Sequence, residues 1–128
     1  MAQTILIVDD DEDYRFQQRV QLKAIGFDVI EADSKAAGLE LIKTTKPDLA
    51  IVDLMMEELD AGFTFCYQFK KRYPNVPAIL VTGVTRETGM EFHASTNEER
   101  SWIKADALLA KPIRFDQLQR EIERLLGK

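Results

Sequence analysis

The chain has 128 residues, of which 45% are hydrophobic and 30% are charged, and its formal net charge at pH 7 is -5. A chain of this size can bury one sizeable core, so we predict a single domain over residues 1–128. The acidic balance argues against a broad basic surface. We therefore expect no direct binding to nucleic acid.

Cysteine usage and hydropathy indicate the compartment. The single cysteine, Cys66, leaves no pair for an internal disulfide and fits a reducing environment. No apolar run approaches the roughly 20 residues needed to cross a bilayer, so we expect no membrane association. The first four residues lead directly into a predicted strand without the basic segment of a secretory signal. We expect a cytoplasmic protein.

The first third of the chain alternates between predicted strands and helices. An apolar run at Thr4–Val8 predicts the first strand, and a helix is predicted over residues 12–25, where Gly26 ends it. The second strand is predicted at residues 27–31. Ser34 then has the position and chemistry of an N-cap, which predicts the start of the second helix.

The same alternation continues through the middle of the chain. The third strand is predicted at residues 49–52, and a loop over residues 57–62 leads to the third helix. Phe63, Cys66 and Phe69 share one face of this helix, so we interpret Cys66 as a core thiol.

The last third begins with a fourth strand, predicted at residues 78–81. A long polar segment at 83–94 precedes a fourth helix, whose predicted start is the pair of capping boxes that begins at Ser95. The fifth strand is predicted at Ala107–Ala110, and the fifth helix begins near Phe115. The apolar stripe of that helix consists of Phe115, Leu118, Ile122 and Leu125.

Strands joined by helices of this length must be parallel, with right-handed crossovers. The predicted fold is therefore an α/β three-layer sandwich around a five-stranded parallel sheet. Alternation by itself does not fix the strand order; the flavodoxin-like order 2-1-3-4-5 is one common solution.

Polar residues follow these strands at the point where each one ends. Asp9 and Asp10 follow the first strand, Asp53 the third, Thr82 the fourth and Lys111 the fifth. The carboxyl ends of parallel strands lie at one edge of the sheet, where ligand crevices open. We therefore expect three carboxylates, a hydroxyl and an ammonium group to converge on one small site.

Three adjacent carboxylates predict a bound cation, because each pair repels by roughly 1–4 kcal/mol at the dielectrics of a protein surface. Mg²⁺ suits such a site, since it takes one or two carboxylates together with water and phosphate oxygens. Ca²⁺ suits it less well, because no loop of spaced ligands is present. Zn²⁺ suits it poorly, because His93 and Cys66 are neither near these acids nor suitably spaced.

The same residues suggest a reaction. An aspartate beside a bound magnesium ion can act as a nucleophile toward phosphorus. Lys111 would supply positive charge for the phosphoryl oxygens, and the Thr82 hydroxyl would supply a hydrogen-bond donor. Asp53 is a single acid at the end of the central strand, so we assign it as the nucleophile, with Asp10 and Asp9 as metal ligands.

Taken together, these residues resemble the receiver domain of response regulators. The resemblance covers essentially the whole chain, and its motif residues, all in the expected order, are Asp9-Asp10, Asp53, Thr82 and Lys111-Pro112. It implies a CheY-like fold with strand order 2-1-3-4-5. It also implies that Asp53 receives a phosphoryl group from a phosphohistidine.

The resemblance further implies a cofactor and partners. Mg²⁺ would be held by Asp10, Asp53 and the backbone carbonyl of Met55, with Asp9 assisting. The donor would be a sensor histidine kinase or a histidine phosphotransfer protein, and the response would pass to a downstream effector protein or a fused output domain. A phosphorylation-linked homodimer is left open. The implied function is a signalling domain that assists its own phosphorylation and dephosphorylation, and not an enzyme.

The sequence departs from the family pattern in three places. In the loop after Asp53, Glu57 stands where proline is common, and Ala61-Gly62 stands where the family has a single glycine. Leu108 occupies the position three residues before Lys111, where an aromatic ring is usual. The interval from Thr82 to Lys111 is also longer than is typical, and the excess falls in segment 83–94.

Three other functions remain as alternatives. A phosphohydrolase of the haloacid dehalogenase type also uses an aspartate and Mg²⁺, but it places a second aspartate two residues after the nucleophile, where this chain has Met55. A flavodoxin-like cofactor binder needs a phosphate-binding loop after the first strand, and the acidic run 9–13 would repel a phosphate. A scaffold that is not phosphorylated would not need the complete acidic set.

Overall fold

The computed structural model describes residues 2–54, 61–82, 105–111 and 113–127. Several predicted features lie outside these residues. They are the predicted metal ligand Met55, the polar segment 83–94, the helix predicted to begin at Ser95, and Pro112.

Five parallel strands form one sheet, in the order β2-β1-β3-β4-β5. The strands are β1 Thr4–Val8, β2 Asp28–Ala32, β3 Leu49–Asp53, β4 Ala78–Thr82 and β5 Ala107–Ala110. The described helices are α1 Glu12–Ala24, α2 Lys35–Thr44, α3 Ala61–Arg72 and α4 Phe115–Leu126. Both the predicted sheet and its predicted order 2-1-3-4-5 are confirmed.

Helices cover both faces of the sheet because alternate strand residues point to opposite sides. One core cluster combines strand residues such as Leu6 and Val52 with buried residues of α2 and α3. The other combines Ile5 and Ile51 with Leu22 of α1 and with α4. The three-layer sandwich predicted from the sequence is therefore confirmed.

The register of the sheet aligns the carboxyl ends of its strands. The paired residues at this edge are Val8 with Ala32 and with Val52, Asp53 with Val81, and Thr82 with Ala110. Asp9, Asp53 and Lys111 consequently end or follow strands at the same edge, and this edge carries the candidate site.

Two predicted helix ends and one predicted apolar face agree with the structure. The Ser34 hydroxyl accepts a hydrogen bond from the Ala37 amide at 3.1 Å, as expected of an N-cap. Gly26 follows α1 with φ of +102°, a backbone conformation that favours glycine. Leu118 and Ile122, from the apolar stripe of the predicted fifth helix, are buried in the corresponding helix of the structure, α4.

Several predicted boundaries are corrected. Helix α1 ends at Ala24, one residue earlier than predicted, and β2, β3 and β4 end one residue later than predicted, at Ala32, Asp53 and Thr82. Strand β2 begins at Asp28, one residue later than predicted, because the Phe27 amide donates to the Leu22 carbonyl at 3.1 Å and closes the end of α1. Helix α3 begins at Ala61, so residues 61 and 62 belong to the helix and not, as predicted, to a loop.

The buried face of α3 is larger than predicted. Phe63, Cys66 and Phe69 pack against the same core cluster as expected, and Phe65 adds a fully buried ring that stacks on Phe69 with centroids 5.8 Å apart. Burial raises the pKa of the Cys66 thiol to about 12. The thiol is therefore neutral at physiological pH, in agreement with the predicted core position.

Among the described residues, no helix combines the length and the apolar character needed to span a bilayer.

Two glycines allow helices to lie unusually close to the core. A Cβ on Gly62 would overlap the Asp53 carbonyl oxygen and would lie 2.5 Å from the Leu54 Cα. The Gly62 amide also donates to the Leu54 carbonyl at 2.9 Å, so the start of α3 rests directly on the end of β3. A Cβ on Gly38 in α2 would lie 2.7 Å from the Phe65 ring.

The two glycines differ in what a methyl group would meet, and this difference predicts an order of stability. Gly62→Ala meets backbone atoms that cannot move aside, so we expect a loss of about 3 kcal/mol in the free energy of unfolding. Gly38→Ala meets a side chain and gains helix propensity, so its loss should be smaller by at least about 1 kcal/mol. Urea unfolding followed by circular dichroism would measure both. A Gly62→Ala variant as stable as the wild type would contradict the close approach.

Candidate functional site

Asp9 follows β1 and is held rigidly, with only 2% of its surface exposed. Its amide donates to the Ala32 carbonyl at 3.1 Å, and its Oδ1 accepts from the Asp11 amide at 2.9 Å. Arg15 Nη1 donates to the Asp9 carbonyl oxygen at 2.6 Å. These bonds fix both the backbone and the carboxylate of Asp9 relative to the start of α1.

Three carboxylates meet at the carboxyl edge of the sheet, as the sequence predicts. One ligand oxygen from each of Asp9, Asp10 and Asp53 lies within 4.8 Å of the others. Asp53 is 5% exposed at the end of the central strand, whereas Asp10 is exposed to solvent. The cluster is therefore an acidic cup with two buried walls and one open side. Its hard oxygen ligands fit Mg²⁺.

Lys111 brings the positive charge into this cup. Its Nζ donates to Asp9 Oδ2 at 3.2 Å and lies 3.7 Å from Asp53 Oδ1. Its backbone amide donates to the Thr82 carbonyl at 2.8 Å, which ties the end of β5 to the end of β4. The ammonium group thus lies between the two buried carboxylates.

Thr82 ends β4 and is buried at the same edge of the sheet. Its partner across the strands is Ala110, the residue before Lys111, and Asp53 pairs with the residue before Thr82. The register therefore places Thr82 between the strand ends that carry Asp53 and Lys111. Met55, the remaining predicted ligand, lies outside the described residues.

Tyr14 is part of the site and was not predicted from the sequence. The Lys111 Nζ lies 4.4 Å from the centroid of its ring, within the range of a cation–π interaction. Its hydroxyl accepts a hydrogen bond from Gln18 Nε2 at 2.9 Å. The only sequence signal is the spacing of an aromatic and an amide residue at i and i+4, which alone does not indicate a site.

The environment of Tyr14 disfavours ionisation of its phenol. Burial raises its pKa, and the neighbouring charges of Asp9 and Asp53 raise it further, to about 12. The hydrogen bond from Gln18 opposes this shift but does not cancel it. The phenol is therefore neutral at physiological pH and presents an uncharged ring to Lys111.

Leu108 lies in β5, three residues before Lys111. It pairs with Leu80 across the sheet, is partly buried, and packs against the core cluster that contains α2 and α3. Its side chain therefore belongs to the face opposite that of Leu109, which packs with the α1 and α4 cluster.

The chain matches the family model for the response regulator receiver domain over residues 5–123. Among curated proteins, it is 31% identical to a protein named "Probable transcriptional regulator ycf27" from Porphyridium aerugineum, over 97% of this chain and 48% of that protein. It is also 31% identical to "Response regulator MprA" from Mycobacterium sp. (strain KMS), over 100% of this chain and 52% of that protein. The chain thus spans about half the length of these relatives.

Solved structures agree with this match. A CheY-like response regulator receiver domain protein from Methanospirillum hungatei JF-1 superposes with a TM-score of 0.83 at 25% identity, covering 99% of this chain and 95% of that one. A putative response regulator from Chloroflexus aurantiacus J-10-fl gives a TM-score of 0.82 at 25% identity and covers 100% of both chains.

Charge repulsion in the acidic cup predicts a stability change on neutralising Asp10. In a chelating buffer, Asp10→Asn should raise the melting temperature by about 2–4 °C, because it removes roughly 1 kcal/mol of repulsion. Mg²⁺ should then stabilise the variant less than the wild type. Asp13→Asn is the matched control, since Asp13 is an exposed acid of the same run outside the cluster. A melting temperature lowered or unchanged by Asp10→Asn would contradict the repulsion.

The raised pKa of Tyr14 predicts a signal in alkaline solution. Between pH 10 and about 12 the unfolded tyrosine loses its proton while the folded one keeps it, so this group makes the folded state less stable as pH rises through that window. The difference in ultraviolet absorbance between the wild type and Tyr14→Phe, followed as pH rises without added metal, reports ionisation of the Tyr14 phenol. Its midpoint should lie near pH 12. A midpoint near the ordinary value of 10.0 would contradict the described environment.

Proposed function

This chain belongs to the family of response regulator receiver domains, and we propose that it receives a phosphoryl group on Asp53. The donor would be a phosphohistidine of a sensor histidine kinase or of a histidine phosphotransfer protein. One observation carries this proposal: the ammonium group of Lys111 lies between the buried carboxylates of Asp9 and Asp53, inside a cup of three acids.

The bonding of the three acids supports Asp53 as the nucleophile. Both carboxylate oxygens of Asp9 accept hydrogen bonds, Oδ1 from the Asp11 amide and Oδ2 from Lys111, and this fixed carboxylate suits a metal ligand. Asp10 is exposed to solvent, where hydration would compete with attack on phosphorus. Asp53 is buried at the end of the central strand, and its Oδ1 lies near the charge of Lys111.

The proposed metal ligands are Asp9, Asp10 and Asp53, together with the backbone carbonyl of Met55. The oxygen chemistry and close spacing of the three carboxylates fit Mg²⁺. A bound Mg²⁺ would supply the positive charge that three carboxylates and an incoming phosphoryl group require. The open side of the cup, at Asp10, is where the donor would approach.

In the proposed transfer, a carboxylate oxygen of Asp53 attacks phosphorus and forms an O–P bond. The P–N bond to the donor imidazole breaks, and its electron pair returns to the imidazole, which leaves neutral if its other ring nitrogen carries a proton. Lys111 would turn from Asp53 toward the phosphoryl oxygens, since the carboxylate loses its charge as the acyl phosphate forms. The Thr82 hydroxyl would donate to one of these oxygens.

The proposed role is signalling and not turnover of a small phosphate ester. Phosphorylation would change the conformation at this edge of the sheet and so control a downstream effector protein or a fused output domain. The names of the curated relatives, a transcriptional regulator and a response regulator, support a role in regulation.

The phosphoacceptor can be tested by intact-mass measurement after incubation with acetyl phosphate, with and without Mg²⁺. The wild type should gain the mass of one phosphoryl group in the presence of Mg²⁺ and little without it. Asp53→Asn should gain none, because an amide is not a nucleophile toward phosphorus under these conditions.

Asp13→Asn is the matched control for this measurement, because it neutralises an exposed acid of α1 outside the cluster. It should label like the wild type. Labelling of Asp53→Asn at the wild-type level would place the nucleophile elsewhere.

A further inference from the structure

Tyr14 contributes its ring to the site, and no step of the proposed transfer uses it. We propose that Tyr14 is a positioning residue, whose ring holds the Lys111 ammonium group between Asp9 and Asp53 at the place where the phosphoryl oxygens arrive. This inference deepens the proposed function and rests on it.

The geometry around Lys111 Nζ carries the inference. An ammonium group has three donors on a flexible four-carbon stem and can adopt many orientations. Asp9 Oδ2 lies at 3.2 Å, Asp53 Oδ1 at 3.7 Å, and the Tyr14 ring centroid at 4.4 Å. The nitrogen therefore has two negative neighbours and an aromatic face, and the ring limits the positions open to the stem.

An uncharged ring suits this place better than another carboxylate would. The face of an aromatic ring attracts a cation through its quadrupole, and it carries no net charge that would repel a phosphoryl group. When Asp53 loses its negative charge on phosphorylation, the ring would still attract Lys111. The ammonium group would then stay near Asp9 and Tyr14, with its remaining donors directed at the phosphoryl oxygens.

The ring itself is held by the start of α1. The Tyr14 amide donates to Asp11 Oδ1 at 3.2 Å, and the Asp11 amide donates to Asp9 Oδ1 at 2.9 Å. The Tyr14 hydroxyl accepts from Gln18 Nε2, and Gln18 is only 3% exposed. The first two bonds connect the backbone of Tyr14 to the same carboxylate that binds Lys111, and the third holds its side chain.

The burial of Gln18 supports a specific task for this contact. Among the described residues, its Oε1 has no hydrogen-bond partner, which is a cost that an apolar residue at the same position would avoid. The amide group is bonded to the Tyr14 hydroxyl and so contributes one hydrogen bond to holding the ring in place.

A purely structural role for Tyr14 makes a different prediction. If the ring only fills space between α1 and the sheet, its loss should affect the protein equally whether or not Lys111 is present. If it positions Lys111, its loss should matter only while the lysine is there.

The first measurement is side-chain NMR of Lys111 in the unphosphorylated protein without metal. The ε-methylene protons of Lys111 should be shifted upfield by the ring in the wild type and in Tyr14→Phe, which keeps the aromatic face. Tyr14→Leu should lose the shift. The same shift in Tyr14→Leu as in the wild type would overturn the contact, whatever the outcome for phosphorylation.

The second measurement is the rate of labelling by acetyl phosphate with Mg²⁺. Tyr14→Leu should label about three- to tenfold more slowly than the wild type, and Tyr14→Phe should stay within about twofold, as expected for loss or retention of one cation–π interaction. In a Lys111→Met background, Tyr14→Leu should cause no further slowing. Equal slowing in both backgrounds, or wild-type labelling by Tyr14→Leu, would overturn the proposal.

Phe16→Leu is the matched control, because Phe16 is an aromatic residue of the same helix with 55% of its surface exposed. It should label like the wild type. Circular dichroism would verify that each variant is folded, and Tyr14→Met, a flexible aliphatic replacement, would substitute for Tyr14→Leu if the latter does not fold. If the wild type itself is not labelled, the proposed function is contradicted. If the wild type is labelled and Tyr14→Leu is labelled at the same rate, only the role of Tyr14 is contradicted.

Discussion

Two buried carboxylates, Asp9 and Asp53, share a single ammonium group at the carboxyl edge of the sheet. Charges removed from water are tolerated when they are paired and hydrogen-bonded. Asp9, Asp53 and Lys111 meet this condition, because the ammonium group lies within ion-pair distance of both carboxylates. The register of β1, β3, β4 and β5 brings them together, because Lys111 can reach Asp9 only if the strand ends are aligned. Two walls of the acidic cup are thus set by backbone pairing and not by loop conformation, which is a rigid basis for a site that binds charged groups.

Much of this architecture could be predicted from the sequence, because it depends on local pattern. Unbroken apolar runs locate buried parallel strands, and parallel strands bring Asp9, Asp10, Asp53 and Lys111 to one edge without knowledge of any contact. The contribution of Tyr14 could not be predicted in this way. It depends on how α1 packs against the sheet, and the pattern of that helix is irregular: Gln18 is buried, whereas Phe16 and Val20 are exposed. The start of α3 was misplaced for a similar reason, since Gly62 looks like a loop residue until its contact with the end of β3 is known.

Leu108 limits how a change at this edge could be read by a partner. It pairs with Leu80 and packs, partly buried, on the α2 and α3 side of the sheet, whereas the acidic cup lies at the strand ends. A leucine can change rotamer, but it has neither a hydroxyl to donate nor a ring face to present. If phosphorylation of Asp53 changes this region, the change at Leu108 itself would therefore be one of apolar shape, since this side chain offers no hydrogen-bond donor.

The buried thiol of Cys66 has a practical consequence for work on this protein. Because the side chain has no exposed surface and stays protonated up to strongly alkaline pH, maleimide and iodoacetamide reagents have no thiolate to attack in the folded state. A cysteine introduced on an exposed position of α1 or α4 would consequently be the one reactive thiol, with the native residue left in place. Fluorophores or spin labels for measuring distances could then be attached without redesigning the core.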